Sequence, residues 1–196
     1  AEGMVLVPAG KFLMGDVSRA STLDAFEIDL YPVTNRQFQR FRDESGYTHV
    51  PSHWRDGAYP AEKADHPVVN VSLDDCDAYA KWAKKRLPTE QEWEKAARGP
   101  SGRKFTWGNA FNRQNCNNLE LGLHDTSEVS GFPNGVSQYG VYDMCGNAWE
   151  WTATSVRPDN GDARVIRGGS WASPKEGVQA TTRGYERVAR RRRDLG

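Results

Sequence analysis

Arg164-Val-Ile-Arg-Gly-Gly-Ser-Trp-Ala-Ser-Pro-Lys-Glu-Gly-Val178 is the segment of the 196-residue chain on which the fold assignment depends. The run Arg164–Arg167 predicts a short strand, and the glycine pair after it predicts a sharp turn into Ser170 and Trp171. Further along, Ser173 and Val178 carry a hydroxyl and an isopropyl group. Neither group can replace a thiolate as a ligand for a soft metal ion.

Three helix starts are visible outside this segment. Thr34 is a predicted N-cap for a helix that closes near Gly46. Ser72 caps a second helix with Asp75 at its third position, and Thr89-Glu-Gln-Glu92 is a capping box that opens a third, which stops at Gly99-Pro100. The predicted inward side chains are Phe38, Phe41, Cys76, Tyr79, Ala80, Ala83, Trp93, Ala96 and Ala97.

The remaining pattern predicts short strands joined by long ordered loops. The stretch from 100 to 140 is rich in Gly, Asn, Pro and Ser and is expected to be loop, as is 47–67. The predicted strands are Met4–Val7, Lys11–Asp16, Phe26–Tyr31, Pro67–Val71, Tyr139–Asp143, Ala148–Thr152 and Arg164–Arg167.

Composition limits the classes of function. The 26 acidic residues balance the 26 basic ones, so no global field favours nucleic acid. Three cysteines without metal-type spacing make a disulfide framework unexpected, although a Cys116–Cys145 redox pair is a weak alternative. No apolar run approaches the roughly 20 residues of a membrane span, no secretory signal is visible, and the compartment stays open. The length fits one domain, 1–196.

Seven sequence words occur in an order that resembles the formylglycine-generating-enzyme (sulfatase-modifying factor) family. They are Val7-Pro-Ala-Gly-Lys-Phe-Leu-Met-Gly15, Tyr31-Pro-Val-Thr-Asn35, His66-Pro-Val-Val-Asn-Val-Ser72, Lys85-Arg-Leu-Pro-Thr-Glu-Gln-Glu-Trp-Glu94, Phe105-Thr-Trp-Gly108, Gly146-Asn-Ala-Trp-Glu-Trp151 and Arg167-Gly-Gly-Ser-Trp171. The resemblance implies an α+β, C-type-lectin-like fold with two or three helices, short antiparallel strands and long inserted loops.

The resemblance also implies what is missing. Family oxidases carry two cysteines that hold copper and handle oxygen, and the aligned positions here are Ser173 and Val178. We therefore expect no copper and no oxidase activity. The same fold, with the same Gly-Gly-Ser-Trp segment, is similar to the variable proteins of diversity-generating retroelements, in which residues 172–194 would form the variable ligand-binding surface.

A ligand surface is accordingly expected around Trp171, Tyr185 and the C-terminal arginines, because aromatic rings and guanidinium groups are common binding anchors. The alternative is that Arg183 and one of Arg190 to Arg193 are clamped to carboxylates while the rest are solvated. The candidate ligand-binding residues are Trp171, Ala172, Ser173, Pro174, Lys175, Glu176, Thr182, Gly184, Tyr185, Glu186, Arg187, Ala189 and Arg190.

A structural calcium ion is expected at the turn Asp143–Glu150. Two carboxylates flank a tight Gly-Asn turn that can direct the carbonyl groups of Gly146 and Ala148 to the same point, and Ca²⁺ prefers such oxygen ligands. The family resemblance implies calcium on these four residues. Alternatively, Glu150 merely accepts hydrogen bonds. A second family site near Asn117-Asn118 lacks its carboxylate, because Leu121 stands there, although Asp125 can substitute.

Three functional hypotheses follow. The favoured one is a non-catalytic binding module, expected to be a monomer, that presents residues 172–194 to a protein or other macromolecule. The alternatives are a formylglycine-type oxidase that uses unidentified residues, and a regulatory or sensor domain of a larger protein.

His53, His66 and His124 are irregularly spaced and are interpreted as isolated loop histidines.

Overall fold

The computed structural model describes residues 3–157 and 162–196, and its N-terminal part consists of two strand pairs. Strand β1 (Met4–Val7) pairs antiparallel with β4 (Phe26–Asp29), and β2 (Gly10–Met14) pairs antiparallel with β3 (Arg19–Leu23). The strands expected at Met4, Lys11 and Phe26 are confirmed. Strand β3 was not predicted, because its sequence is largely polar and its position depends on pairing with β2.

All three predicted helices form, each with the expected cap. They are α1 (Asn35–Ser45), α2 (Leu73–Trp82) and α3 (Glu90–Arg98). Thr34, Ser72 and Thr89 each accept from the backbone amide three residues on and complete a reciprocal capping box. Helix α1 ends at Gly46 in the left-handed conformation, with φ at 72°.

A three-stranded sheet organises the C-terminal part. Its strands are β5 (Glu150–Val156), β6 (Ala163–Arg167) and β7 (Arg183–Arg187), in the order β5-β6-β7 with antiparallel pairing. Strand β6 contains the predicted Arg164–Arg167 run and leads into Gly168 and Gly169, whose φ values of 97° and 72° confirm the sharp turn. Strand β7 lies at the edge of the sheet and was not predicted.

Two of the strands predicted from the sequence do not form. Residues 139–143 are loop, because Gly140 and Asp143 adopt positive φ values of 85° and 57° that no strand accommodates. Residues 67–71 form a single bridge, Thr34 with Pro67, instead of a strand. The strand predicted from Ala148 begins two residues later, at Glu150.

A buried ion network fastens α3 to β6. The Glu94 carboxylate accepts from the Arg98 guanidinium at 2.9 Å, from the backbone amide of Gly15 at 2.6 Å, and from Arg167 of β6. Glu94 and Arg167 are each 1% exposed. The Arg167 guanidinium also lies 5.3 Å from the centre of the Trp93 ring. This network fixes the strand that leads directly into the glycine pair.

The long loop between α3 and β5 is held by specific contacts. The Thr106 hydroxyl donates to the carbonyl of Gly135 at 2.6 Å, and a side chain at Gly135 would meet the carbonyl oxygen of Asn115 at 1.9 Å. None of the described helices has the length and apolar character that crossing a bilayer requires.

Candidate functional site

The side chains at the two positions where the family resemblance expects cysteines, Ser173 and Val178, are both buried. The Ser173 hydroxyl accepts from the backbone amide of Ser170 at 3.0 Å, which tightens the turn after the glycine pair. Val178 is 0% exposed and packs in the main hydrophobic cluster with Trp93 and Val7. Neither side chain presents a metal ligand or a nucleophile at the surface.

Strand β7 displays an exposed row that includes two of the predicted ligand-binding residues, Tyr185 and Arg187. Arg183, Tyr185 and Arg187 are exposed, and the Tyr185 ring is 61% exposed. Gly184 alternates inward, where a side chain would meet Ile166 at 3.1 Å and Trp149 at 3.4 Å. Tyr185 is therefore a surface residue, whereas Gly184 belongs to the scaffold.

A second group of predicted residues lies before β7. Pro174, Lys175 and Glu176 are exposed at a 3-10 turn that spans Lys175–Val178, and Ala172 is exposed just ahead of it. The Thr182 hydroxyl donates to the Glu176 carbonyl at 3.1 Å, so the turn is fastened to the start of β7. The exposed Ala189 and Arg190 follow β7.

The C-terminal arginines divide into clamped and available side chains. Arg183 makes two hydrogen bonds to Glu90, Arg191 makes two to the buried Asp75, and Arg192 makes two to Asp194 and one to Glu186. Such fork-like pairs fix side-chain direction. Among the arginines from Arg183 onward, those whose side chains make no hydrogen bond or ion pair with the described residues are Arg187, Arg190 and Arg193.

Trp171 lies away from Tyr185. Its ring is 5% exposed, stacks under the Arg193 guanidinium at 4.9 Å, and lines a small pocket that Tyr185 does not reach. Arg193 belongs to the arginine run that the sequence predicts around Trp171, although it is not among the candidate ligand-binding residues. The stacking tendency of guanidinium on indole is the general signal that points to such a pair.

The predicted calcium turn carries two carboxylates, each with one side-chain donor. The Asp143 carboxylate accepts from the Asn147 side chain at 2.8 Å, and the Glu150 carboxylate accepts from the Trp93 indole at 2.8 Å. Within the described residues neither carboxylate has a basic partner, and no amide donates to the carbonyl of Gly146 or Ala148. Four oxygen-bearing groups are thus available at this turn.

Burial disfavours the charged form of both carboxylates at this turn. Burial, followed by the charge of Glu150, raises the pKa of Asp143 to about 8, although the bond from Asn147 opposes this rise. Burial likewise raises the pKa of Glu150 to about 7. A divalent ion would offset the cost of two adjacent buried charges. Among the described residues no cluster of three His, Cys, Asp or Glu side chains is suited to a metal, so an ion here also needs the carbonyl groups.

The region of the second family calcium site is occupied by protein contacts. The Asn118 side chain donates to Glu120, whereas Asp125 pairs with Lys63 at 2.5 Å instead of joining Asn118. The side-chain carbonyl oxygens of Asn117 and Asn118 are buried without a hydrogen-bond partner in the described structure. The substitution by Asp125 considered from the sequence therefore lacks a free carboxylate.

The cysteines are free thiols in apolar surroundings. Cys116 and Cys145 both lie in the main hydrophobic cluster, and burial raises the pKa of the Cys145 thiol to about 11. Burial also raises the pKa of Cys116. High pKa values suppress the thiolate form that redox exchange and metal binding need.

Three capped helices, short antiparallel strands and long fastened loops define a C-type-lectin-like α+β scaffold. The Sulfatase-modifying factor enzyme 1-like domain model matches residues 1–196, and the chain belongs to that family. Both the fold expected from the sequence and the family resemblance are thereby confirmed.

Relatives include both inactive and active members of the family. The inactive C-alpha-formylglycine-generating enzyme 2 of Mus musculus is 37% identical over 234 residues, covering 89% of this chain and 76% of the relative. The formylglycine-generating enzyme of Thermomonospora curvata is 34% identical, covering 87% of this chain and 83% of the relative. The solved structure of Treponema denticola variable protein 1 matches with a TM-score of 0.80 and 22% identity, covering 98% and 92%.

Proposed function

We propose that this protein is a non-catalytic, receptor-like ligand-binding member of its family that uses residues 172–194 as its binding surface. The absence of catalysis is supported chiefly by the two side chains that stand after β6 where family oxidases carry cysteines. Ser173 uses its hydroxyl to close a turn, and Val178 lies fully inside the core. The similarity to an inactive mouse relative supports the same reading.

An assay of turnover directly tests the proposal that the protein is non-catalytic. The purified protein is incubated with copper, reductant and a cysteine-containing peptide of sulfatase type, and the peptide mass and oxygen consumption are followed. The Thermomonospora curvata enzyme serves as the positive control. We expect no change in peptide mass above the protein-free background. Conversion of the peptide would support the alternative of an oxidase that works through other residues.

The second half of the proposal, ligand binding, is supported by the character of the exposed row on β7. Tyr185 and Arg187 are of the residue types that carry most binding energy at interfaces, and both project from an edge strand. The neighbouring Arg183 and Arg192 are ion-paired to Glu90 and Glu186, which orients the side chains beside them. Anchors that are already positioned lose less entropy on binding. A protein or other macromolecule fits this extended surface better than a small molecule.

A matched pair of variants tests the surface. A binding partner is selected with the wild-type protein and its affinity is then measured for Tyr185→Ala and Leu6→Ala. Tyr185 is 61% exposed and Leu6, on strand β1, is 60% exposed, so both changes remove comparable exposed apolar side chains. We expect Tyr185→Ala to weaken binding by roughly tenfold or more, as for an interface hot spot, and Leu6→Ala to leave it unchanged. Equal effects would contradict the assignment of the surface.

We also propose a structural calcium ion on Asp143 and Glu150 with the carbonyl groups of Gly146 and Ala148. The support is that, in the part of the chain that the structure describes, the two carboxylates have no basic partner and the two carbonyl groups have no donor. Calcium would neutralise the pair and fix the turn between the long loop and β5. Since Glu150 also accepts from Trp93 of α3, the ion would stiffen the contact between that helix and the sheet.

A further inference from the structure

A pocket of about 220 Å³ lies beside Trp171, and most of its wall comes from outside residues 172–194. Its lining residues are His53, Lys63, Val69, Asn70, His124, Asp125, Thr126, Trp171 and Arg193. The pocket thus joins the loop before the first 3-10 turn, the long loop after α3 and the end of the chain. Most of these residues have polar side chains, and several of them carry hydrogen-bond donors.

Arg193 supplies a guanidinium group that is held against Trp171 and has no acceptor among the described residues. It lies 4.9 Å above the Trp171 ring and makes no ion pair or hydrogen bond within the described residues. A cation–π contact with an indole ring uses no hydrogen-bond acceptor, so the N–H groups of Arg193 remain available for a ligand. That edge matches the two oxygen atoms of a carboxylate.

Two further donors belong to aromatic side chains of the pocket. The indole N–H of Trp171 is buried and has no hydrogen-bond partner within the described residues, which is costly unless a ligand supplies one. The Asn70 side-chain amide lies 3.1 Å from His53 Nδ1, and as the donor it places the ring proton on Nε2. Burial, followed by the charge of Lys63, lowers the pKa of His53 to about 4. His53 is therefore a neutral donor near pH 7.

The charges of the pocket leave an excess of positive charge. Two basic side chains, those of Lys63 and Arg193, and one carboxylate, that of Asp125, line the pocket. The Asp125 carboxylate is paired with Lys63 at 2.5 Å. Asp125 is thus already engaged and does not neutralise Arg193. An anionic group that enters the pocket meets Arg193 without competition from the protein.

We infer that this pocket is a subsite for a carboxylate, supplied by an aspartate or glutamate side chain of a protein partner. The inference rests on the proposed ligand-binding function and specifies the chemistry of part of it. The small volume suits one side-chain carboxylate, and the planar fork of Arg193 favours a planar anion. The pocket also brings His53, Asn70 and Lys63 into recognition, although they lie far from residues 172–194 in the sequence.

The subsite is tested with a small probe, independently of any partner. The seven tryptophan indole N–H resonances of ¹⁵N-labelled protein are recorded, and Trp171→Phe identifies the resonance of interest. N-acetyl-aspartate N-methylamide is titrated at constant ionic strength, with the asparagine compound as the neutral control and inorganic phosphate as a second anion. We expect a saturable shift of the Trp171 resonance with the aspartate compound and none with the asparagine compound.

Two arginine variants complete the test. Arg193→Ala is expected to weaken binding of the aspartate probe by at least about tenfold, the loss that follows removal of a charge-assisted hydrogen bond. Arg19→Ala is the control, because Arg19 on β3 is also exposed and makes no side-chain hydrogen bond or ion pair among the described residues, yet lies outside both the pocket and residues 172–194. A silent titration, equal shifts with the asparagine compound, tighter binding of phosphate, or an unchanged affinity in Arg193→Ala would each overturn the inference.

The outcomes also separate the subsite from the proposed function. A partner that loses binding on Tyr185→Ala, combined with a silent titration, refutes the subsite and leaves the surface intact. A titration that behaves as expected, combined with a partner indifferent to Tyr185→Ala, refutes the surface on β7 and leaves the subsite intact.

Discussion

Replacing Glu94 by glutamine tests how the scaffold holds the turn that carries Ser170 and Trp171. The substitution keeps the size of the side chain but removes the charge shared by Arg98 and Arg167. The Arg167 guanidinium would remain 1% exposed, with the carbonyl groups of Thr181 and Ala180 at 3.1 Å as its neutral acceptors. Leaving a buried charge without its counter-ion costs about 3–5 kcal/mol.

Glu90→Gln is the matched control, since Glu90 lies on the same helix and also pairs with an arginine of the same sheet. Its partner, Arg183, is 45% exposed at the side chain, so water already screens the pair. Exposed pairs of this kind contribute about 0.2–1 kcal/mol. The two substitutions thus remove the same chemical group from a buried and a solvated ion pair.

Urea unfolding at pH 7 measures the difference, with the midpoint and the slope fitted separately for each variant. We expect the free energy of unfolding to fall by about 3–5 kcal/mol in Glu94→Gln and by less than about 1 kcal/mol in Glu90→Gln. A Glu94→Gln variant within about 1 kcal/mol of wild type, with an unchanged slope, would refute the view that this network holds β6 in place.

Removal of calcium by a chelator is expected to lower the melting temperature of wild type, because calcium at a hundred times its Kd stabilises the folded state by about 2.7 kcal/mol. In Asp143→Asn the chelator should have no effect. Identical wild-type melting curves with and without the chelator would contradict the site. Between pH 6.5 and about 4, acidification should lower the stability of wild type relative to His53→Gln, because the unfolded chain protonates His53 before the folded chain does; parallel pH profiles of the two proteins would contradict this. Chemical unfolding should show Tyr185→Ala within about 0.5 kcal/mol of wild type, because the ring is exposed; a larger loss would mean that Tyr185 serves the fold.

Local chemistry explains what the sequence predicted well. The three helices begin at Thr34, Ser72 and Thr89, because each capping box closes within four residues and needs no distant partner. The turn at Gly168-Gly169 is similarly local, since both residues adopt positive φ.

Non-local contacts explain what the sequence missed. Strands β3 and β7 are largely polar and exist because they pair with β2 and β6, so their own pattern carries little signal. The run Tyr139–Asp143 has the composition of a strand, but the amide of Ser137 closes a local bond to the Val141 carbonyl at 2.9 Å. The Trp171 pocket joins segments that are distant in sequence, and no spacing rule connects His53 to Arg193.

A competition titration with Cu(I) tests the central claim most directly, since oxidase chemistry in this family is expected to need copper on two thiolates. The reduced protein is titrated against a chromophoric Cu(I) chelator, beside the Thermomonospora curvata enzyme. Because Ser173 and Val178 carry no sulfur, the account predicts that the protein withdraws no copper from the chelator. Stoichiometric, tight uptake of copper by the wild-type protein would contradict it.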